Sequence, residues 1–257
     1  MRLPTTALPF ERTCKICGAR APLFGVTDFH KNCEEQRKPT LALSGYPIYY
    51  RRCLACEFLF TDFFDDWSQE EFIANIYNAD YKKVDPDFEI TRPFGNANFL
   101  LNLFGGKAES LSILDFGGGN GQFSAQLRSA GFSVADTYDP FMPPHDIRPG
   151  RRYDIVTCFE TIEHSHDPNR TVDEIVSFLA EGGLIILSTL LQPPDFEKIG
   201  LAWWYAGPRN GHVSLHSKKS FAHLWASKGF QAFSLNENLH FVFRTFPEFA
   251  RGILRVI

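Results

Sequence analysis

Two side-chain patterns in this 257-residue chain could do chemistry. The first is a pair of C-x-x-C knuckles, Cys14 and Cys17 in CKICG, then Cys53 and Cys56 in RRCLACEF. Each knuckle lets two thiolates reach one ion, so together they predict a tetrahedral, four-thiolate structural Zn2+ site. Such a site is closed, and no catalytic duty is expected of it. The loop between the knuckles carries His30 and Cys33, so a ligand swap is open. The second pattern is ILDFGGGNGQFSAQL, residues 113–127. Asp115 precedes three glycines at alternate positions, Gly117, Gly119 and Gly121. Glycines accept positive φ and let a ligand touch backbone, and the helix that follows offers N–H groups at its start. No Lys follows Gly121, as a phosphate loop needs, and D-x-G-x-G-x-G is not the GxGxxG of dinucleotide loops. A carboxylate facing the loop disfavours a pyrophosphate and suits a cationic amine.

The elements that must position these residues follow from periodicity. Ile113, Leu114 and Phe116 read as the end of a buried strand, and GQFSAQLRSAGF as a helix with Phe123 and Leu127 on one face. FSVADTYDPF reads as a second strand running to Asp139, with Asp136 earlier, inside the strand. PFMPPHDIRPGRR is a short Pro-rich loop that leaves little room for a third strand. YDIVTCF is the next strand, with Glu160, Glu163 and His164 crowded at its C-terminal end, where α/β sheets place ligands. DPNRTVDEIVSFLAEGG predicts a helix ending at Gly182 and Gly183, and LIILSTLL a buried strand. FQAFSL and HFVFRTF predict two closing strands after the helix SKKSFAHLWASKGF. Upstream, residues 1–65 read as irregular with short β-like runs. Residues 66–108 read as a helical connector. Its first helix begins at Ser68 with Glu71 three residues on, its YNADYKKVDPDFEITRP stretch is a loop, and its last helix ends at Gly105 and Gly106. The expected organisation is a 1–65 zinc module, the 66–108 connector and a 109–257 catalytic domain.

The glycine loop, the Glu160-x-x-Glu163-His164 segment, the helix after it and the Gly-Gly before the next strand together resemble class I S-adenosylmethionine (SAM) dependent methyltransferases over residues 111–192. The resemblance implies an α/β fold with a Rossmann-like, mostly parallel sheet whose last strand is antiparallel. It implies SAM as cofactor, held by Asp115, Gly117, Gly119, Gly121, Asp139 and Glu160, with Asp139 on the ribose hydroxyls. Tyr77 and Tyr81 are candidates to cap it. This family usually builds its acceptor pocket after the fifth strand, where this chain has WWYAGPRNGHVSLHS. Trp203, Trp204 and Tyr205 could wall such a pocket, and Arg209 and Asn210 could hold a phosphate or carboxylate. The double knuckle followed by a His-containing segment is similar to a narrower group, bacterial sugar C-methyltransferases with an N-terminal zinc module. That likeness implies a sugar or nucleotide-sugar acceptor. A general base is needed for an alcohol or a ketone α-carbon, and histidine titrates near neutral pH. His212 is the first candidate and His164 the second. Beyond Glu160 and Glu163 no carboxylate cluster is evident, so metal-dependent catalysis is not expected.

Composition bounds the alternatives. A formal net charge of −4 is no footprint for nucleic acid, which weighs against an RNA methyltransferase gripping RNA through its zinc module. A third reading is a non-catalytic scaffold with a SAM fold. MRLPTTALPF lacks the apolar core of a signal peptide, and the apolar run at 184–191 is far short of a membrane span. A cytoplasmic protein with a small-molecule partner, no nucleic acid and no membrane is therefore expected, its oligomeric state open. In that compartment six cysteines suit metal ligands or free thiols more than disulfides.

Overall fold

The computed structural model describes residues 11–38 and 41–252, so the first ten residues of the expected zinc module lie outside it. The chain runs β1 (Glu11–Thr13), β2 (Arg20–Asp28), β3 (Pro47–Arg52), β4 (Leu59–Thr61), α1 (Gln69–Asn75), α2 (Tyr81–Val84) and α3 (Thr91–Phe104). It continues β5 (Ser112–Phe116), α4 (Gln122–Ser129), β6 (Val134–Tyr138), β7 (Tyr153–Phe159), α5 (Pro168–Ser177) and β8 (Leu179–Ser188). The last elements are α6 (Phe196–Ile199), β9 (Ser214–Leu215), α7 (Lys218–Ala226), β10 (Gln231–Ser234) and β11 (Leu239–Phe243). Contacts divide it into two compact units. The first is Met1–Pro86 with Ile162–Asn169 and Leu190–Leu224, and the second is Asp87–Thr161 with Arg170–Thr189 and Trp225–Ile257.

The second unit holds a six-stranded sheet in the order β10-β11-β8-β7-β5-β6. β6, β5, β7 and β8 pair in parallel, while β11 is antiparallel to both β8 and β10. The central strands are short apolar runs because both faces are covered. Ile113, Ile155, Leu184 and Ile186 pack with Leu100 and Phe104 of α3 and Phe123 and Leu127 of α4. Between Asp139 and Tyr153 there is no strand, so β6 is the sheet edge. The Pro-rich segment turns back on itself there, with Met142 N donating to Asp139 O and Asp139 N to His145 O. Gly182 and Gly183 do not end a helix. α5 stops at Ser177, and β8 already includes both glycines, at an irregularity between the Tyr153–Leu179 and Ile155–Leu184 pairs. Phe178 and Leu179 are buried, and Tyr153 N donates to Phe178 O, so strand pairing claims residues the helical pattern had suggested. α3 begins at Thr91 and takes Pro93 into its first turn, where a missing N–H costs nothing.

The first unit is more regular than expected of irregular β-like runs. Its five strands, β1-β2-β3-β4-β9, form one antiparallel sheet. Ile48 and Tyr50 of β3 are buried on alternate positions, and Phe58 stacks on Phe60 at 5.3 Å. Phe63, Phe64, Trp67 and Phe72 form an aromatic cluster, with Phe64 and Trp67 at 4.7 Å. α1 opens with the predicted capping box, Ser68 and Glu71 each bonding the other's backbone N–H. Residues 162–169 and 190–224, expected within the 109–257 domain, belong to this unit. β9 completes its sheet against β4, Val213 N donates to Glu163 O, and Ser217 Oγ donates to Cys56 O. The 66–108 stretch likewise divides at Pro86, and Tyr81–Val84, read as loop, is the short helix α2. Among the described residues no helix is long and apolar enough to cross a membrane.

Candidate functional site

The glycine loop leaves β5 in the second unit and opens α4. Gly117, Gly119 and Gly121 all have positive φ, +72°, +55° and +75°, which an L side chain adopts only at a cost. Gly117 N donates to Tyr138 O at 2.8 Å, tying the loop to the end of β6. A Cβ at Gly117 would overlap Thr161, one at Gly118 would overlap Asp115 Oδ2, and one at Gly121 would lie 2.6 Å from His145 Nε2. At Gly119 a Cβ would meet nothing within 4 Å. The loop is therefore packed from behind and open at its middle glycine, which is the cradle a ligand needs.

Two carboxylates flank this cradle. Asp115 is buried beneath Gly118 and accepts a 2.8 Å hydrogen bond from Thr157 Oγ1. Burial pushes its carboxyl up to about 7, partly offset by the Thr157 bond and reinforced by the nearby Asp139 charge. Asp139 lies just past β6, with Oδ2 accepting from Gly119 N at 2.9 Å and Oδ1 from Phe141 N at 2.8 Å. Burial raises its pKa as well. Asp136 is turned elsewhere, accepting from Tyr153 OH at 2.7 Å. Glu160 follows β7 with a φ of +48°, unusual for a residue with a side chain, and its N–H donates to Ser188 Oγ at 3.0 Å.

In the first unit, one atom each of Glu163, His164 and His212 lie within 4.8 Å of one another. Glu163 and His164 sit in a 3-10 turn, and His212 follows the turn Pro208–Asn210. The rings of His164 and His212 are edge to face at 4.9 Å, and Glu163 Oε1 is 4.0 Å from His164 Nε2. Gly211, at φ +89°, makes the approach possible, since a Cβ there would stand 2.9 Å from His164 Nδ1. Tyr205 orients two members at once. Its hydroxyl donates to Glu163 Oε1 at 2.6 Å, and its carbonyl is 2.8 Å from His212 Nδ1. A carbonyl can only accept, so Nδ1 carries the proton and the lone pair of His212 is on Nε2. Cys33 Sγ stands 3.6 Å from the same Nδ1, so this cysteine neighbours His212 and is not among the clustered thiols.

Those thiols are Cys14, Cys17, Cys53 and Cys56, all within 4.8 Å of one another. Sγ separations of 3.5 Å for Cys14–Cys56 and 3.4 Å for Cys17–Cys53 are far beyond a disulfide. They approach the edge of about 3.8 Å expected for a tetrahedron with Zn–S of about 2.3 Å. The donor set thus fits one closed tetrahedral ion. The Cys56 thiol holds the Cys14 pKa down to about 5, and its own is raised. His30 Nδ1 is instead 2.6 Å from Ala42 O.

Several residues expected to meet an acceptor are spent on the scaffold. Arg209 donates to Ile76 O and Asn78 Oδ1, both at 2.8 Å. Asn210 accepts from Cys33 N and donates to Val84 O, both at 2.9 Å. Trp203 and Tyr205 are buried, and of the aromatic trio only Trp204 is exposed. Tyr77 packs on Tyr81 at 5.3 Å and lies 6.3 Å from the His164 ring. Glu163, His164 and His212 are thus brought together, a grouping that the sequence reading did not anticipate. The two histidines were visible there as candidates, but nothing in their spacing showed that they meet. The Tyr205 link to Glu163 left no signal at all.

Comparison with known proteins places residues 90–235 within the model of a methyltransferase domain family. A ubiquinone biosynthesis O-methyltransferase from Leptothrix cholodnii is 29% identical over 150 residues, which cover 48% of this chain and 63% of that protein. A namesake from Psychrobacter cryohalolentis is 44% identical over 43 residues, 17% of each chain. The chain spans less than two thirds of the length of these curated relatives. Among solved structures, an O-methyltransferase family protein from Burkholderia thailandensis aligns with a TM-score of 0.50 and 13% identity, over 68% of this chain and 62% of that one. That likeness establishes the Rossmann-like fold of this class.

Proposed function

The chain belongs to the methyltransferase domain family, and from that premise we propose that it transfers a methyl group from SAM to a hydroxyl of a small-molecule acceptor. The single observation that carries the reading is the glycine cradle, open at Gly119 and flanked by Asp115 and Asp139. Gly117, Gly119, Gly121 and Asp115 hold the amino-acid end of SAM, Asp139 its ribose, and Glu160 closes the cofactor side. Bound SAM would supply an activated methyl on a sulfonium, which an in-line nucleophile would take as the C–S bond breaks and its electron pair leaves with the thioether sulfur. The acceptor belongs to the sugars, nucleotide-sugars and related metabolites, and the relatives named for O-methylation support oxygen as the receiving atom. The first unit receives the acceptor proton at Glu163, His164 and His212, with Nε2 of His212 the first candidate base and His164 the second. Cys14, Cys17, Cys53 and Cys56 hold a structural Zn2+.

The test is calorimetric titration of the full chain with SAM, followed by methyl-transfer assays on a panel of hydroxylated metabolites. Gly119→Arg fills the open face of the loop and should abolish binding while the fold persists by circular dichroism. Wild-type affinity in that variant would remove the cofactor from this loop.

A further inference from the structure

We infer that Glu163, His164 and His212 bind a divalent first-row cation, zinc before the others, at a centre separate from the four cysteines. The inference rests on the reading of this cluster as the place where the acceptor loses its proton, and it changes the agent of that step. Two imidazoles and one carboxylate form a borderline donor set suited to Zn2+ and its neighbours, and three protein ligands leave room for an exogenous oxygen.

The geometry supports a preorganised site. Ligand atoms around a tetrahedral Zn2+ with bonds near 2.1 Å sit about 3.4 Å apart. Glu163 Oε1 and His164 Nε2 are 4.0 Å apart, so a shift of well under an ångström closes the pair on an ion. Glu163 is fully buried, where an ionised carboxylate is costly and an adjacent cation offsets the cost. The surrounding bonds are those that metal sites use. The His212 Nδ1–H donates to a backbone carbonyl, which leaves the ring's lone pair on Nε2, and the Tyr205 hydroxyl fixes the carboxylate. Arg209 and Asn210, committed to Ile76, Asn78 and Val84, hold rigid the turn that carries His212.

With the ion in place, both histidines are ligands and neither is a free base. The open position would take the acceptor hydroxyl, and an ion held there would lower that hydroxyl's pKa and ease loss of its proton to solvent.

The experiment is a Co2+ titration of metal-stripped full-length protein. Thiolate-to-cobalt charge-transfer absorption reports the cysteine centre, and the total bound reports both. Two equivalents are expected, only one of them carrying the thiolate band. Glu163→Gln and His212→Gln should each lose the second equivalent and keep the first, whose unchanged band certifies that the unit is folded. Tyr205→Phe should weaken the second equivalent about 10–100-fold without adding or removing a ligand. A single equivalent in the wild type, or a second one indifferent to all three variants, overturns the inference. Turnover that depends on His212 with only one cobalt bound would discard the ion and leave the free base standing. Two cobalts bound to a chain with no affinity for SAM would keep the centre and discard the methyl-transfer reading.

Discussion

The two compact units bring their reactive groups together by different means. In the second unit the cradle is one continuous stretch, and Asp115 through Gly121 are delivered by a strand, a turn and a helix start in immediate succession. In the first unit neither cluster comes from one continuous stretch. The cysteine cluster joins two knuckles separated by β2 and β3, and the Glu163–His164–His212 cluster joins two segments inserted from the far half of the chain. The contrast teaches that a local motif can define a binding loop, whereas convergent side chains from distant segments need a scaffold that holds them still. In the first unit that scaffold is the antiparallel sheet closed by β9, the aromatic cluster and the buried hydrogen bonds of Arg209 and Asn210.

The largest expected effect breaks the first unit alone. Cys53→Ser with Cys56→Ser removes half of the thiolate set, and structural zinc contributes of the order of 10 kcal/mol in small zinc modules. Loss of bound zinc and selective proteolysis of residues in 11–86 are expected, while the parallel sheet keeps its protected amides in hydrogen exchange. Uniform exchange throughout the chain would show that the two units do not unfold separately.

Next in size is catalysis without unfolding. His212→Ala should lower turnover on the true acceptor by about 10²–10⁴-fold with SAM affinity nearly unchanged, and His164→Ala by a similar or smaller factor. Steady-state kinetics at saturating SAM, alongside calorimetry, reads both numbers. Equal losses in SAM binding and turnover would mean that His212 serves the donor and not the acceptor.

A smaller effect sharpens the second unit. Asp115 has a folded pKa of about 7 against 3.8 in an unfolded chain, raised by burial and by Asp139 across the loop. A raised carboxyl binds more protons when folded, so its contribution to stability is fully present below pH 4 and falls as pH rises toward 7. A cationic ligand beside it reverses the preference. SAM affinity should rise up to about tenfold per pH unit between pH 5 and 7, with release of a proton on binding. Calorimetry in buffers of different ionisation enthalpy measures that proton, and Asp115→Asn should abolish the pH dependence. The smallest effect is at the edge of the first unit, where Ser68→Ala removes one half of the capping box of α1 and should cost about 1 kcal/mol in denaturant unfolding.

Local interactions made part of this protein legible in its sequence. The strand before Asp115, the three positive-φ glycines, α4, the capping box at Ser68 and the C-x-x-C spacing within each knuckle each depend on residues a few positions apart, so spacing alone displays them. Even the missing strand after Asp139 was visible, because its prolines cannot donate to a ladder. Tertiary structure decided the rest. Gly182 and Gly183 went to β8 since burial of Phe178 and Leu179 beside Tyr153 outweighs helical periodicity. Arg209 and Asn210, which look like anion ligands, became struts because buried backbone carbonyls at Ile76 and Val84 needed donors. And the meeting of Glu163, His164 and His212 under the hydroxyl and carbonyl of Tyr205 depends on where two distant segments are folded onto one sheet, a relation that no spacing along the chain encodes.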